Sequence, residues 1–112
     1  MLKTIFGALA ASALLLAASA NAGGLMLIHH KVADYAKWRA AFDSHKSMQE
    51  AAGLTNPHVY QSVSNANELT VTFDMADVEK AKAFVSSKDL KETMKKAGVK
   101  GKPEISLLNA AP

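Results

Sequence analysis

Alternating and helical patterns of apolar residues divide the chain into short predicted elements. Residues 25–32 are apolar on both alternating faces, which is typical of a strand that is covered on each side. The next segment, 35–52, repeats apolar residues at helical spacing, so it is predicted to be a helix with aromatic rings on its apolar stripe. Asp34 is placed to cap the start of this helix, and Gly53 is placed to end it in a left-handed conformation.

The rest of the pattern predicts two strands, two helices and a last strand. The predicted ranges are 57–63 and 68–75 for the strands, 78–85 and 88–97 for the helices, and 104–108 for the last strand, which Pro103 opens. The Asn-rich link 64–67 is typical of a hairpin turn. The order β-α-β-β-α-α-β is that of a ferredoxin-like split βαβ unit. It predicts an α+β fold in which helices cover one face of a four-stranded antiparallel sheet.

The opposite face of that sheet is also expected to carry apolar side chains. Leu25 and Leu27 lie on it, together with either Ile105 and Leu107 or Leu108 from the last strand. A domain of this size has a marginal core of its own, so burial against another chain is favoured. We therefore expect a second copy of the chain to cover this face, sheet against sheet, in a homodimer.

The first 22 residues have the composition of a cleaved export signal. Lys3 is followed by an apolar run rich in Ala and Leu and then by the small-x-small sequence Ala-Asn-Ala that ends at Ala22. The apolar run is short for a membrane span. We expect residues 1–22 to be a signal peptide and residues 23–112 to be a single periplasmic or secreted domain without membrane contact after cleavage. The alternative is a retained N-terminal anchor.

Charge and composition exclude several kinds of site. The formal net charge is +3, and it falls to +2 when the single lysine of the leader is removed. This excess is too small to indicate a nucleic-acid surface, so no nucleic-acid partner is expected. The chain contains no cysteine, which excludes disulfides, zinc–thiolate sites and thiol catalysis. Neither a metal site nor a cofactor is predicted.

Two segments carry a family resemblance: HHKVADYAKWRAAFDSH at 29–45 and MKKAGVKGKPEISLL at 94–108. In this element order they resemble the dimeric α/β-barrel superfamily, and in particular its small stand-alone antibiotic-biosynthesis-monooxygenase-like or cyclase-like proteins, over residues 25–109. The resemblance implies two ferredoxin-like subunits that pack their sheets into a dimeric α/β barrel, each with a pocket between helices and sheet. The superfamily includes cofactor-free oxygenases, cyclases and haem degraders. The first strand lacks the Asn that haem degraders use, so haem degradation is not implied.

Three of the four histidines and the only tryptophan fall within 29–45. His29 and His30 are neighbours on a predicted strand, so their side chains point to opposite faces and cannot bind one metal together. His30 shares its side with Met26 and Ile28 and is expected to face the helices, whereas His29 is expected to face the barrel interior. Both faces look buried, so the reverse assignment stays open.

His45 interrupts the aromatic stripe of the predicted helix, where an apolar residue would be usual. Local inconsistencies of this kind cluster at functional sites. The alternative is a core histidine that is hydrogen-bonded to a backbone carbonyl. We predict His30 and His45 as a catalytic acid–base pair across the gap between helix and sheet. The predicted ligand-pocket residues are Tyr35, Trp38, Phe42, His29, His58 and Tyr60.

An aromatic wall suits a flat organic ligand. The leading expectation is therefore a pocket for a small aromatic or polyketide-like molecule, with cofactor-free monooxygenase or cyclase chemistry through histidine acid–base steps. The alternative is a non-catalytic periplasmic protein that binds haem or a metal through His30, His45 or His58. A structural dimer without a ligand is a third possibility.

Lysines cluster around the glycine turn at 98–101. They are Lys95, Lys96, Lys100 and Lys102. A solvated helix end that complements the helix dipole explains such a cluster. The alternative is recruitment of anions to the mouth of a pocket.

Overall fold

The computed structural model describes residues 24–112. The strands are β1 Gly24–Val32, β2 Leu54–Gln61, β3 Glu68–Met75 and β4 Val99–Asn109, and the helices are α1 Tyr35–Ser44, α2 Lys46–Ala51, α3 Val78–Val85 and α4 Lys88–Lys96. The predicted signal peptide and its cleavage site lie outside the described residues. Within residues 24–112, no helix has both the length and the apolar character needed to cross a membrane.

The four strands form a single antiparallel sheet in the order β2-β3-β1-β4. Alternate residues of β1 and β3 are buried, because one face of the sheet packs under the helices. The core residues contributed by these two strands are Met26, Ile28, Val32, Leu69, Val71, Phe73 and Met75. The predicted α+β, ferredoxin-like fold is confirmed.

The predicted helix 35–52 is divided in two at His45. This residue has φ −101° and ψ 19°, and its backbone N–H donates to the carbonyl of Phe42 at 3.2 Å, one residue short of an α-helical bond. The backbone therefore ends α1 at Ser44 and starts α2 at Lys46. Periodicity alone predicted a continuous helix because both pieces keep their apolar residues on the side of the sheet.

Strands β2 and β4 both begin earlier than the sequence predicted, at Leu54 and Val99. The prediction placed Pro57 and Pro103 at the starts of these strands, whereas both prolines lie inside them. Both strands are edges of the sheet, where the missing proline N–H can face away from the neighbouring strand. Each proline also lies beside a shift in register, which a β-bulge produces.

Side-chain caps fix where α1 starts above the sheet. The carboxylate of Asp34 accepts a hydrogen bond from the backbone N–H of Ala36 at 2.9 Å, as an N-cap does. The side-chain oxygen of Asn67, which precedes β3, accepts a hydrogen bond from the backbone N–H of Tyr35 at 2.9 Å. The aromatic stripe of α1 is therefore anchored to the β2–β3 link.

Among residues 24–112, the helices all lie on one face of the sheet, and the second face carries none of them. Leu108 pairs with Leu25 and is 44% exposed, whereas Ile105 and Leu107 pack against the core on the helix side. The structure thus selects Leu108 from the two alternatives that the sequence left open. Sheet-on-sheet dimerisation through this face stays a prediction.

Candidate functional site

A cavity lies between the sheet and the helices. Residues of β1 and β3 form its floor, α1 and α2 form one wall, and α3 and α4 form the other. Its volume is about 60 Å³. This corresponds to about four water molecules if each needs roughly 15 Å³. The cavity is therefore a small, mainly apolar chamber inside a single subunit.

Aromatic rings form one continuous wall of this chamber. The buried Trp38 stacks on Phe42 with 4.8 Å between ring centroids, and Phe42 lies 5.9 Å from Phe73 on β3. Tyr35 lies 6.2 Å from Trp38, but it is not part of the cavity lining. Trp38 and Phe42 thus line the cavity as predicted, whereas Tyr35 packs beside Trp38 outside the lining.

His30 reaches the cavity because the alternation of β1 turns its side chain toward the helices. The side chain is 5% exposed, and its ring centroid lies 5.5 Å from that of Trp38. Within the described part of the chain, neither ring nitrogen has a hydrogen-bond partner. Buried polar atoms in proteins are nearly always paired, and an unpaired one costs about 1–3 kcal/mol.

Burial also sets the charge of His30. It lowers the pKa of His30 from 6.5 to about 4, with a smaller contribution from charge repulsion by His29. The imidazole is therefore neutral at pH 7. It has one N–H donor and one nitrogen acceptor, and neither bonds to a protein group among residues 24–112.

His45 lines the same cavity from the break between α1 and α2. Its Nδ1 lies 2.7 Å from the backbone oxygen of Ala41. A carbonyl oxygen only accepts hydrogen bonds, so Nδ1 carries the proton, and in the neutral ring Nε2 is left as an acceptor. His45 is thus bonded to a backbone carbonyl, as one alternative from the sequence predicted, and it also lines the cavity. Its catalytic role stays a prediction.

Gln49 is a polar cavity residue that the sequence analysis did not select. It is 8% exposed, and its side-chain N–H donates to the backbone oxygen of Phe42 at 3.3 Å. Gln49 follows His45 by four residues, so helical spacing places it on the same face. The four-residue spacing from His45 could have identified Gln49. A search for apolar residues at helical spacing passes over a glutamine, however, so the prediction missed it.

The other predicted pocket residues lie on the opposite face of the sheet. Tyr60 pairs with Thr70, and Thr70 pairs with His29, so alternation along the strands keeps these side chains away from the helices. The ring of His29 contacts Thr70 at 3.1 Å and Glu68 at 3.3 Å, and His58 stacks on Tyr60 at 6.3 Å. None of the three predicted residues His29, His58 and Tyr60 lines the cavity.

Acidic and histidine side chains do not gather around a common point. In the region that the structure describes, no group of three or more His, Asp or Glu residues is arranged to hold a metal ion. His58 lies on the open face and His30 and His45 lie under the helices. The three histidines of the metal- or haem-binding alternative are therefore not brought together within one subunit.

Solved structures with this architecture include several oxygenases. A proposed antibiotic biosynthesis monooxygenase from Bordetella bronchiseptica has a TM-score of 0.65 at 18% identity, over 80% of this chain and 99% of its own. SnoaB, a cofactor-independent oxygenase from Streptomyces nogalater, has a TM-score of 0.64 at 10% identity, over 81% and 95%. A monooxygenase from the gene ActVA-Orf6 of Streptomyces coelicolor, in complex with the ligand nanaomycin D, has a TM-score of 0.54 at 11% identity, over 82% and 90%.

This chain has the fold of the antibiotic biosynthesis monooxygenases. The resemblance carried by residues 29–45 and 94–108 is thus confirmed at the level of the fold. No protein family model matches the chain, and no curated protein sequence matches it significantly. A shared fold does not fix a reaction, so the chemistry of this chain depends on the residues of its own cavity.

The backbone oxygen of Ala41, which accepts a hydrogen bond from His45, has a second side-chain donor. Ser44 Oγ also donates to the backbone oxygen of Ala41, at 2.8 Å. We therefore expect His45→Leu alone to change the free energy of unfolding by less than about 1 kcal/mol, because the carbonyl keeps one donor. The double variant His45→Leu/Ser44→Ala should cost about 1–3 kcal/mol. Urea denaturation of both variants and of Ser44→Ala tests this, and a loss above about 2 kcal/mol for His45→Leu alone would contradict it.

Proposed function

We propose that the protein binds a small aromatic molecule that carries a hydroxyl or carbonyl group, in the cavity between its sheet and its helices. The observation that carries the proposal is the buried His30, whose two ring nitrogens lack partners in the described residues. A neutral imidazole can accept from a ligand hydroxyl through one nitrogen and donate to a ligand oxygen through the other. The aromatic wall of Trp38 and Phe42 suits a flat ring beside it.

The size of the cavity favours one aromatic ring over a fused polyketide. A volume of about 60 Å³ is below the roughly 150 Å³ of an engineered cavity that binds benzene, so one ring already requires side chains to move and a fused ring system requires more movement. Met48 and Met94 line the cavity. Because methionine is unbranched and adaptable, their displacement is the route by which a larger ligand would fit. The SnoaB and ActVA-Orf6 proteins share the fold, and the structure of the latter is a complex with nanaomycin D.

The chemistry of the pocket favours hydrogen bonding over removal of a proton from a simple phenol. A phenol has a pKa of about 10, so protonating a group with a pKa of about 4 from it costs about 8 kcal/mol before other effects. Proton transfer to His30 therefore requires a more acidic ligand hydroxyl or a stabilised anion. His45, which keeps Nε2 free of the bond to Ala41, is the second group able to accept a proton. Cofactor-free oxygenase or cyclase chemistry in this cavity is part of the proposal for a ligand whose hydroxyl is more acidic than that of a simple phenol, or with His45 as the proton acceptor.

We also propose that the protein acts outside the cytoplasm as a homodimer. The leader ending at Ala22 supports export, and intact-mass analysis of the protein from its host should show a chain that begins at Gly23.

The uncovered sheet face, on which Leu108 and Tyr60 are 44% and 56% exposed, supports self-association. Sedimentation that shows only monomer at micromolar concentration would refute the dimer.

The binding proposal is tested with two ligands that differ by one hydroxyl group. 4-Methylphenol should bind at least about fivefold more tightly than toluene, since a ligand hydroxyl that pairs with a buried polar group is worth about 1–3 kcal/mol. Trp38 is the only tryptophan in the chain and lines the cavity, so its fluorescence reports occupancy.

The matched control is His58→Leu, which removes a histidine from the uncovered sheet face. It should leave both affinities unchanged, because His58 does not line the cavity. Equal affinities of the unmodified protein for 4-methylphenol and toluene, or no change in Trp38 fluorescence with either ligand, would refute the proposed function.

A further inference from the structure

A second and larger hollow lies on the outside of the fold, between the helices α3 and α4 and the edge strand β4. Its volume is about 470 Å³, within the roughly 300–1,000 Å³ of small-molecule sites. We call it the β4 groove. Its floor is apolar and includes Val85, Leu90, Met94, Val99 and Ile105.

Three lysines surround this apolar floor. Lys91 and Lys95 are one turn apart on α4, and Lys102 reaches the groove from β4. Within residues 24–112, none of the three lies within 4.0 Å of a carboxylate, and no acidic residue lines the groove. The three ammonium groups are therefore not held in ion pairs within the described part of the chain.

The helix dipole does not account for this arrangement. Lys95 lies in the last turn of α4, where a cation interacts favourably with the carbonyl end of a helix. Lys91 lies a turn earlier, and Lys102 is on a different element beyond the glycine turn. A solvated helix end also needs no hollow with an apolar floor beside it. The groove thus combines an apolar floor with a basic rim, which a solvated helix end does not require.

We propose that the β4 groove binds an amphipathic organic anion, a carboxylate with an aromatic or short alkyl tail. The tail packs on the apolar floor, and the carboxylate lies among the ammonium groups of Lys91, Lys95 and Lys102. Such a ligand matches both features at once, since burial of its tail and neutralisation of the rim are each favourable. This site differs from the histidine cavity in eight of its ten lining residues, although Leu90 and Met94 line both.

Ligand analogues test the contribution of the carboxylate and that of the apolar tail separately. Isothermal titration calorimetry at low salt should show 4-phenylbutyrate binding at least about tenfold more tightly than 4-phenylbutan-1-ol, which has no charge. Acetate should bind at least about tenfold more weakly than 4-phenylbutyrate, since it has no tail for the floor. The affinity for 4-phenylbutyrate should fall as the salt concentration rises. Equal affinity for the carboxylate and the alcohol would overturn the proposal.

Matched lysine variants test the location. The rim variant Lys91→Gln/Lys95→Gln/Lys102→Gln should lose at least about tenfold in affinity for 4-phenylbutyrate. The control variant Lys37→Gln/Lys46→Gln/Lys80→Gln removes the same charge from exposed positions that do not line the groove, and it should change the affinity by less than twofold. An equal loss in both variants would show that only the overall charge matters and would overturn the proposal.

A last pair of measurements separates this site from the histidine cavity and from a protein interface. His30→Leu should keep its affinity for 4-phenylbutyrate, and saturating 4-phenylbutyrate should not displace 4-methylphenol as judged by Trp38 fluorescence. Loss of carboxylate binding in His30→Leu would place the anion in the cavity and overturn the proposal, whatever the outcome for the phenol. A rim variant that dissociates a dimer while the unmodified protein binds no carboxylate would show that a second copy covers the groove, which also overturns it.

Discussion

Lowering the pH from 7 to 4 should cost the protein about 3 kcal/mol of stability through His30. Burial holds the pKa of His30 at about 4 in the folded protein, against 6.5 in the unfolded chain. Between these two values the unfolded chain binds a proton that the folded protein does not. Stability from this group is therefore fully present above pH 6.5 and is lost as the pH falls toward 4. Each unit of pKa difference corresponds to about 1.4 kcal/mol.

Other groups also titrate in this range, so a matched variant isolates the effect. Urea denaturation at fixed protein concentration should show a smaller loss between pH 7 and pH 4 for His30→Leu than for the unmodified protein, by about 3 kcal/mol. His58→Leu, altered at an exposed position, should follow the unmodified protein. Parallel pH dependence of the two leucine variants would mean that His30 is protonated without a penalty in the folded state.

The order of elements could be predicted because each element carries a strong local pattern. The first and third strands alternate cleanly, and the caps at Asp34 and Asp77 mark the helix starts that the structure confirms. The errors occurred where tertiary context overrides local rules. Pro57 and Pro103 are tolerated inside strands only because these strands are edges of the sheet. Edge position is a property of the whole sheet, so a strand read by itself does not reveal it.

Of the candidate site residues, only those on the helix side of the sheet could be placed correctly from the sequence. The period of the helix placed Trp38, Phe42 and His45 together, and alternation along β1 placed His30 opposite them. The face of β2 depended on its register with β3, which the shift at Pro57 alters. His58 and Tyr60 could therefore not be assigned from the sequence.

The properties that carry the proposed function also lie beyond sequence patterns. A buried histidine is common, and the sequence does not show whether its nitrogens find partners. That depends on distances between side chains of β1, α1 and α4, which set both the volume of the cavity and the pKa of His30. The sequence could therefore indicate acid–base chemistry from the type of residue. The structure adds which ligand atoms could form hydrogen bonds with the ring nitrogens.

His30→Leu should make the unliganded protein more stable at pH 7, by about 1–3 kcal/mol. The substitution removes two buried nitrogens without partners in the described residues and fills a similar volume with apolar atoms. The same change should remove the preference for 4-methylphenol, so that toluene binds as well as the phenol or better. Natural sites often sacrifice stability for function in this way.

The two readouts together decide what His30 does. Urea denaturation of the unmodified protein, His30→Leu and His45→Leu gives the stability series, and Trp38 fluorescence gives the ligand series for the same proteins. A binding residue gives higher stability with loss of the phenol preference in His30→Leu. A structural histidine gives lower stability with an unchanged preference, because the substitution would then leave a hydrogen-bond partner of the imidazole unpaired. Since an imidazole without a protein partner in a mainly apolar cavity is unfavourable to folding, the proposed ligand contact of His30 predicts a gain of stability with loss of selectivity in His30→Leu.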